Sequence, residues 1–294
     1  MSLGQIILQT FVNGVMSSMV LILIASGLCL IFGIMRVVNF AHGEFYMLGG
    51  FGAWLLFGQQ LLPIESSVLR YVVAVMITMM VVALMGILVE RYLFRPFRGD
   101  IRATIIVGTG VMYILQATTL VGFGIRDKAF GSPFSGAVRI SGVSISQERL
   151  AVVIFGAIFT TIMYFFIQKT KLGLSMRAVA QDEEAASLQG INISKTFSLA
   201  MGIGIAMAAA GGALMAPIYY VNPYMGVEPI MKAFVVIILG GMGSLPGTVI
   251  GGFIVGFIES FASTFISPHV ALMIVFLLLI VVLIVRPGGI FGRE

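Results

Sequence analysis

Charged residues are scarce in this chain. Only 10% of its 294 residues are Asp, Glu, Lys or Arg, whereas 59% are hydrophobic. Soluble globular domains carry roughly 25% charged residues, so the composition excludes an ordinary soluble domain and indicates an integral membrane protein. The formal net charge of +5 does not indicate nucleic-acid binding, because most of it lies in segments that flank apolar runs.

Cysteine, histidine and the common catalytic motifs are also nearly absent. Cys29 is the only cysteine, so an intrachain disulfide is impossible. The sequence has no Gly-x-x-x-x-Gly-Lys-[Ser/Thr] nucleotide-binding loop and no Gly-x-Ser-x-Gly nucleophile elbow. Its two histidines, His42 and His269, form no His-Glu-x-x-His zinc motif. We therefore expect no catalytic residue, no metal site and no cofactor bound by this chain.

The apolar residues form eight runs, most of them near or above the roughly 20 residues that a membrane span needs. They lie at residues 6–34, 38–58, 68–90, 104–124, 150–168, 196–218, 232–265 and 270–286. This pattern predicts an all-α, polytopic membrane protein with one transmembrane domain over residues 1–294. The first run is interpreted as a retained span, because no basic region precedes it.

Glycine-rich stretches interrupt two of these runs. Gly240–Gly247 divides the seventh run, where glycine and proline are expected to break the helix into a half-span and a full span. Leu48–Gly52 in the second run resembles Leu239–Gly243 in the seventh, either as a true internal repeat or by chance. Paired glycine-interrupted segments are typical of transport sites built on broken helices.

The basic residues predict how the chain crosses the membrane. The segment Glu90–Arg102, the segment Lys169–Lys195 and the tail with Arg286 and Arg293 carry many arginines and lysines, and such loops stay in the cytoplasm. The N-terminus is then outside and the C-terminus inside. The loop at about residues 124–148 is external and is either a simple connection or a surface for an external protein. A hairpin is predicted in it around Ser141-Gly142.

One charged segment, Lys169–Ile191, separates two membrane-length apolar runs. It must therefore lie outside the hydrocarbon. Its periodicity predicts an amphipathic helix at about residues 172–190. The residues predicted to share its apolar face are Leu172, Met176, Val179, Ala180 and Leu188. A short amphipathic helix outside the membrane is a candidate docking element.

Few polar residues lie inside the predicted spans. Asn39, His42 and Glu44 open the second run, and two interpretations remain open. They line a translocation pathway or its cytoplasmic gate, or Asn39 caps a helix while Glu44 complements its dipole with Arg36 as counter-charge. Glu259 is similarly a polar contact between helices or a pathway residue. An ion-coupled carrier would usually have more acidic residues in its spans.

Several motifs resemble those of a known family. Glu184-Ala185-Ala186-x-x-x-Gly190 resembles the EAA motif of permease subunits in ABC importers, whose coupling helix docks into a cleft on the ATPase subunit. Ile31–Gly50, Leu172–Asp182 and Lys232–Gly247 resemble the LivH-type permease of branched-chain amino acid transport systems. The likeness extends from about Leu28 to Pro287.

The resemblance implies a type II ABC importer permease in a bacterial or archaeal cytoplasmic (inner) membrane. Its partners would be a LivM-type second permease, or a second copy of itself, two cytoplasmic ATPase subunits that use ATP, and an extracytoplasmic substrate-binding protein. Contact with membrane lipid is expected, and contact with nucleic acid is not. Coupling to the ATPase would involve Glu184, Ala185, Ala186 and Gly190.

Irregular backbone at membrane depth persists only against protein or water, so the two segments in which glycine is expected to break the helix, Asn39–Phe57 and Lys232–Glu259, are expected to line the centre of the complex. The predicted pathway residues are Asn39, His42, Glu44, Gly240, Gly241, Gly243 and Glu259. Because few ionisable residues lie in the spans, we expect a mostly apolar passage without a tight amino-acid site.

The predicted function is import of leucine, isoleucine, valine or a similar small amino acid, as a translocation subunit without enzymatic activity of its own. A permease for urea or short amides of the same family is the main alternative. A stand-alone secondary carrier or channel is disfavoured by the amphipathic docking segment. An intramembrane enzyme is the weakest alternative, given the missing catalytic motifs.

Overall fold

The computed structural model describes residues 2–134, 136–140, 143–286 and 288–291. The helices of this part of the chain are α1 (Leu3–Met35), α2 (His42–Ala53), α3 (Ser67–Val89), α4 (Ile101–Phe123), α5 (Gln147–Lys169), α6 (Lys171–Gln181), α7 (Glu183–Leu188), α8 (Ile193–Met215), α9 (Val227–Gly240), α10 (Leu245–Phe265) and α11 (Pro268–Val285). Two strands, β1 (Ala137–Ile140) and β2 (Val143–Ser146), form an antiparallel hairpin.

Seven helices of the described chain are long and apolar enough to cross a membrane: α1, α3, α4, α5, α8, α10 and α11. They confirm six of the eight apolar runs as long helices and the second half of the seventh. The second run differs, since α2 has only 12 residues and continues as a π-helical turn over Trp54–Gly58. A helix of that length is shorter than the hydrocarbon core.

Helices α1 and α8 form the centre of the bundle. Residues Val20–Ile31 of α1 are buried on every side, as expected of a helix that is apolar all round. Helix α10 runs antiparallel along α1, and the Ser260 hydroxyl donates to the Thr10 carbonyl at 2.8 Å. Helices α4 and α11 are mostly exposed, so their apolar side chains are available to lipid.

Glycine permits the close approach of the two central helices. A Cβ placed on Gly27 would lie 2.1 Å from the Gly204 carbonyl oxygen, and one on Gly204 would lie 2.6 Å from the Gly27 carbonyl oxygen. No side chain fits into either space. Since apolar side chains gain little by leaving lipid for one another, such backbone contact is a main source of helix association in membranes.

The loops predicted to be cytoplasmic lie together at one end of the bundle. Arg98 in the loop after α3 donates to the Ser194 hydroxyl at the start of α8, at 3.1 Å. A Cβ on Gly33 near the end of α1 would lie 2.9 Å from Gly243 in the loop between α9 and α10. The two short helices α6 and α7 lie at this end, which we therefore call the helix-pair end. We call the other end of the bundle the opposite end.

The second apolar run is built differently from the prediction. Helix α1 ends where Arg36 adopts a left-handed conformation (φ 54°), and the chain turns back along α1. Helix α2 then begins at His42, whose Nε2 donates to the Ile24 carbonyl at 3.0 Å. That carbonyl lies about 16 Å of helix before the end of α1, so α2 starts deep within the bundle.

The segment Asn39–Phe57, which is predicted to depart from a plain helix, does so at the turn before His42 and at the π-helical turn after Ala53, whereas Leu48–Gly52 is helical throughout. The glycines serve packing instead: a Cβ on Gly49 would lie 2.1 Å from the Ala209 carbonyl oxygen of α8. Leu239–Gly243 has a different conformation, so the likeness between the two stretches reflects no shared local structure.

The predicted break in the seventh run is confirmed. Helix α9 ends at Gly240 and α10 begins at Leu245, with Gly241 (φ 98°) and Gly243 (φ 86°) between them. Glycine adopts positive φ without steric cost, and the Ser244 hydroxyl caps α10 by accepting from the Gly247 amide at 3.2 Å.

The predicted hairpin in the long loop is also confirmed in its strands. Ala137 pairs with Ser146 and Ile140 with Val143. The predicted turn at Ser141-Gly142 lies outside the described residues. The hairpin lies at the opposite end of the bundle, because β2 leads directly into α5, whose Arg149 donates to Asn13 near the start of α1.

Substitution of Gly27 by Ala should destabilise the bundle by about 1–3 kcal/mol, since the added methyl group has no space. Gly110→Ala is the matched control, because no atom lies within 4 Å of the Cβ position there. Buried Cys29 reports unfolding directly when a thiol-reactive dye is followed during heating. Equal melting temperatures for both variants would contradict the packing argument.

Candidate functional sites: a helix pair between two spans and a charged cavity

The segment predicted as one amphipathic helix forms two short helices, α6 and α7. Asp182 separates them in an extended conformation (φ −153°), and its side chain accepts from the Ala185 amide at 2.9 Å. Asp is a preferred N-cap because its carboxylate satisfies a free amide of the first turn. The cap therefore ends one helix and starts the next, and we call α6 and α7 the helix pair.

The sequence predicts that the apolar residues of this segment share one face. In the structure, the apolar residues of the helix pair do not share one buried face. Met176, Val179 and Ala186 are buried against the bundle, whereas Leu172 is exposed and Leu188 is 83% exposed. The helix pair therefore uses one set of apolar side chains to hold itself to α1 and α8, which α6 contacts. A second set, which includes Leu172 and Leu188, remains exposed.

The residues of the predicted coupling motif are also divided between exposed and buried positions. Glu184 and Ala185 are exposed, and Ala186 is buried. Gly190 has a positive φ of 79° with no atom within 4 Å of its Cβ position, and its amide donates to the Ser187 carbonyl at 2.9 Å. Gly190 thus closes α7 through its backbone conformation and leaves open space beside it.

A recess of about 310 Å³ lies between the helix pair and the end of α1. Met35 and Arg36 line one side, and Asp182, Glu183 and Glu184 line the other. The two sides carry opposite charge. The recess therefore joins the turn after α1 to the acidic start of α7.

Asn39, His42 and Glu44 are buried in helix contacts rather than in an open passage. The Asn39 side chain accepts from the Ala41 amide at 3.1 Å, and Glu44 accepts from Gln116 of α4 at 2.8 Å. Asn39 therefore shapes the turn before α2, whose N-cap is Ala41. Glu44 lies in the first turn of α2, as expected of a carboxylate that complements the helix dipole. Its partner is Gln116, whereas Arg36 was the predicted counter-charge.

Helices α2 and α9 begin next to each other in the interior. A Cβ on Gly43 would lie 2.5 Å from the Gly226 carbonyl oxygen, and one on Gly226 would lie 2.0 Å from that of Gly43. From this contact α2 runs towards the opposite end and α9 towards the helix-pair end. Their first turns carry Glu44 and Glu228, each placed to complement a helix N-terminus.

Beside the start of α9 lies a cavity of about 420 Å³ that contains a charged triad. Lys232 Nζ donates to Glu228 Oε1 at 2.5 Å and to Glu259 Oε1 at 2.6 Å. The Lys232 side chain is only 9% exposed. A lysine is buried at such depth only when carboxylates pair with it.

The rest of this cavity is aromatic, amide and apolar. Its further lining residues are Ser17, Val20, Leu21, Tyr46, Met215, Tyr219, Tyr220, Asn222, Tyr224, Met225 and Pro229. Helix α1 supplies the first three, and the segment between α8 and α9 supplies most of the others. The central helix and the non-helical chain that ends at α9 thus form much of the wall of the charged cavity.

The structure places the predicted pathway residues in three different locations. Glu259 joins α10 to α9 through Lys232, so it is a polar contact between helices, and it also lines the charged cavity; its pathway role stays a prediction. Gly240, Gly241 and Gly243 lie at the α9–α10 break at the helix-pair end. Sequence reasoning missed Lys232 and Glu228 as site residues, although their four-residue spacing on one helix was a readable signal.

A second buried ion cluster ties α3 to α8 at the helix-pair end. Glu90, which is fully buried, pairs with Arg95 at 3.0 Å and with Arg98 at 2.5 Å. The Ser198 hydroxyl of α8 donates to Glu90 at 2.5 Å and accepts from Arg95 at 2.8 Å. Each buried carboxylate oxygen therefore has a partner, which a buried charge requires.

Comparison with known proteins agrees with this architecture. A family described as "Branched-chain amino acid transport system / permease component" matches residues 10–283. The high-affinity branched-chain amino acid transport system permease protein LivH of Salmonella typhimurium is 34% identical over 255 residues, which cover 83% of this chain and 82% of that protein. The corresponding protein BraD of Pseudomonas aeruginosa is 32% identical over 253 residues, with 83% and 82% covered.

A solved structure, PsaBC from Streptococcus pneumoniae in complex with Fab, aligns with a TM-score of 0.47 at 12% identity, covering 95% of this chain and 92% of that chain. The family match extends over nearly all of the described helices, from α1 to α11. The chain therefore belongs to the permease-component family of branched-chain amino acid transport systems and is a multi-pass membrane permease subunit.

Proposed function

We propose that this chain is one of two permease subunits that form the path of an ATP-driven importer for leucine, isoleucine, valine or a similar small amino acid. The observation that carries the proposal is the match to branched-chain amino acid permeases over residues 10–283. The charged cavity supports it, because ionised groups facing a cavity at membrane depth are typical of a solute path.

The proposed partners are a LivM-type permease or a second copy of this chain, two ATPase subunits at the helix-pair end, and a substrate-binding protein at the opposite end. The exposed residues of the helix pair support ATPase docking there. An apolar side chain as exposed as Leu188, beside the carboxylates of Glu183 and Glu184, is typical of an interface anchor with a charged rim.

The proposed mechanism is conformational. Closure of the ATPases around ATP moves the helix pair, and α6 transmits the movement to α1 and α8, which it contacts. Both central helices are buried and closely packed, so they move as rigid bodies rather than deform. The path then alternates between access from outside and access from inside.

Basic residues support a cytoplasmic helix-pair end. This end carries Arg36, Arg91, Arg95, Arg98, Arg102, Lys169, Lys171, Arg177, Lys195 and Arg286, whereas the opposite end carries Arg70, Arg126, Lys128, Arg139 and Arg149. Among the residues that the structure describes, ten basic residues at one end against five at the other fit the positive-inside rule. In this orientation the N-terminus is outside and the C-terminus inside.

The substrate is tested by uptake into proteoliposomes that contain the complete complex. With the binding protein outside and ATP at the ATPase side, labelled leucine should accumulate, and uptake should stop when ATP is replaced by a non-hydrolysable analogue. Labelled urea serves as the competing substrate. Accumulation of urea instead of leucine would contradict the proposed substrate, and leucine uptake without the ATPase subunits would indicate a carrier.

The docking role of the helix pair is tested by Leu188→Arg. Uptake should fall by about tenfold or more, because losing an interface residue that acts as a binding hot spot costs about 2 kcal/mol or more, while the thermal stability of the chain stays unchanged. Leu61→Arg is the matched control, since Leu61 is also exposed but lies at the opposite end. Unchanged uptake in Leu188→Arg, or an equal loss of co-purifying ATPase subunits in the control, would contradict ATPase docking at this surface.

The orientation is tested with single cysteines in a Cys29→Ser background. Ala129 in the long loop and Ser187 in α7 are both exposed, so each cysteine is open to a membrane-impermeant thiol reagent. In intact cells with a permeable outer envelope, Ala129→Cys should label and Ser187→Cys should label only after the membrane is opened. The reverse pattern would overturn the orientation.

A further inference from the structure

The charged triad does not balance its own charge. Glu228 and Glu259 contribute two negative charges and Lys232 one positive charge, which leaves a net charge of −1 (−2 + 1) at the cavity wall. The Glu228 side chain is 64% exposed and that of Glu259 is 25% exposed, so both carboxylates face the cavity space. A wall of this charge attracts a cationic group.

The hydrogen-bonding capacity of the triad is also incomplete. Lys232 has three ammonium hydrogens, of which two are given to Glu228 and Glu259. Each carboxylate uses one oxygen for Lys232. The wall therefore presents two carboxylate oxygens and one ammonium hydrogen, which are complementary to an ammonium and a carboxylate attached to the same carbon atom.

The remaining walls fit the other parts of such a molecule. The amide nitrogen of Asn222 is a neutral donor for a carboxylate, since the Asn222 oxygen already accepts from the Tyr224 amide at 3.0 Å. Val20, Leu21 and Met215 form an apolar wall. The volume of about 420 Å³ lies within the roughly 300–1,000 Å³ of small-molecule sites.

We propose that the charged cavity is a transit site for zwitterionic α-amino acids with an apolar side chain. The carboxylates of Glu228 and Glu259 accept from the ligand ammonium, Lys232 donates to the ligand carboxylate, and the apolar wall contacts the side chain. The proposal rests on the proposed function for the delivery of the solute. It places a charged cluster in the passage that was expected to be mostly apolar, and it agrees with the expectation that no tight amino-acid site is present.

The geometry implies weak binding. Lys232 is already paired with both carboxylates, so a ligand must share these partners rather than fill empty positions. Sharing lowers affinity but permits release, which a transport path requires. The competing interpretation is that the triad only stabilises the packing of α10 against α9. A transit site and a purely structural triad make different predictions. Only in a transit site does substitution of one charged residue weaken the binding of those ligands that carry its partner group.

The test uses the complete complex in nanodiscs, without its binding protein, and saturation-transfer NMR as the binding measurement. Three probes separate the ligand groups: leucine has both charges, leucinamide lacks the carboxylate, and 4-methylpentanoate lacks the ammonium. The wild-type complex should show saturable millimolar binding of leucine, on the scale where weak complexes lie.

Each variant should affect the probes selectively. Glu259→Gln should weaken leucine and leucinamide by about tenfold, the loss of one charge-assisted hydrogen bond, and leave 4-methylpentanoate unchanged or stronger. Lys232→Gln should weaken leucine and 4-methylpentanoate and leave leucinamide unchanged or stronger. Glu65→Gln is the matched control, because Glu65 is an exposed carboxylate in the loop before α3.

Equal loss of all three probes in the variants, or no loss in any, would overturn the transit site in favour of a purely structural triad. If Glu259→Gln melts at a lower temperature than wild type, Glu228→Gln at the more exposed carboxylate provides the second test. Leucine uptake with no saturable binding would contradict the proposed transit site and leave the proposed function intact. Selective binding without ATP-driven uptake would contradict the proposed function and leave the transit site intact.

Discussion

Contact between backbones at glycine is the constraint on which this structure depends. In a membrane the hydrophobic effect does not bring helices together, so association requires close packing and polar contacts. Gly27 with Gly204 brings the central helices into contact, and Gly43 with Gly226 joins the starts of the two short helices. Any side chain at these positions would separate the backbones. The positions of α2, α9 and the charged cavity all follow from these two crossings.

The short helices give the interior a polarity that full-length spans would not. A helix that starts within the bundle presents free amides and a partial positive charge at that depth. Here two such starts meet, and each has a carboxylate in its first turn, Glu44 and Glu228. Glu44 is held by Gln116 in a closed contact, whereas Glu228 shares Lys232 at the edge of a cavity. The same local motif thus serves structure in one case and presents charge in the other.

Local signals in the sequence predicted much of the fold. The apolar runs identified the long helices, and the break at Gly240–Gly247 followed from backbone chemistry that glycine alone satisfies. The position of the irregular backbone within Asn39–Phe57 was not predictable, because composition cannot distinguish a glycine that breaks a helix from one that packs against a neighbour. The division of the helix pair depended on one side-chain cap at Asp182. The link from Lys232 to Glu259 was beyond sequence reasoning, since it joins two helices through tertiary packing.

Helix α1 takes part in almost every feature of the molecule. Its end lines the recess beside the helix pair, its middle carries the glycine crossing, and Val20 and Leu21 line the charged cavity. All twelve residues from Val20 to Ile31 are buried, so no face of this stretch is free to change independently. Helix α11 is mostly exposed to its surroundings and needs only to stay apolar. Sequence drift in this protein should therefore be concentrated on its outer helices, while α1 is confined to substitutions that preserve shape on every side at once.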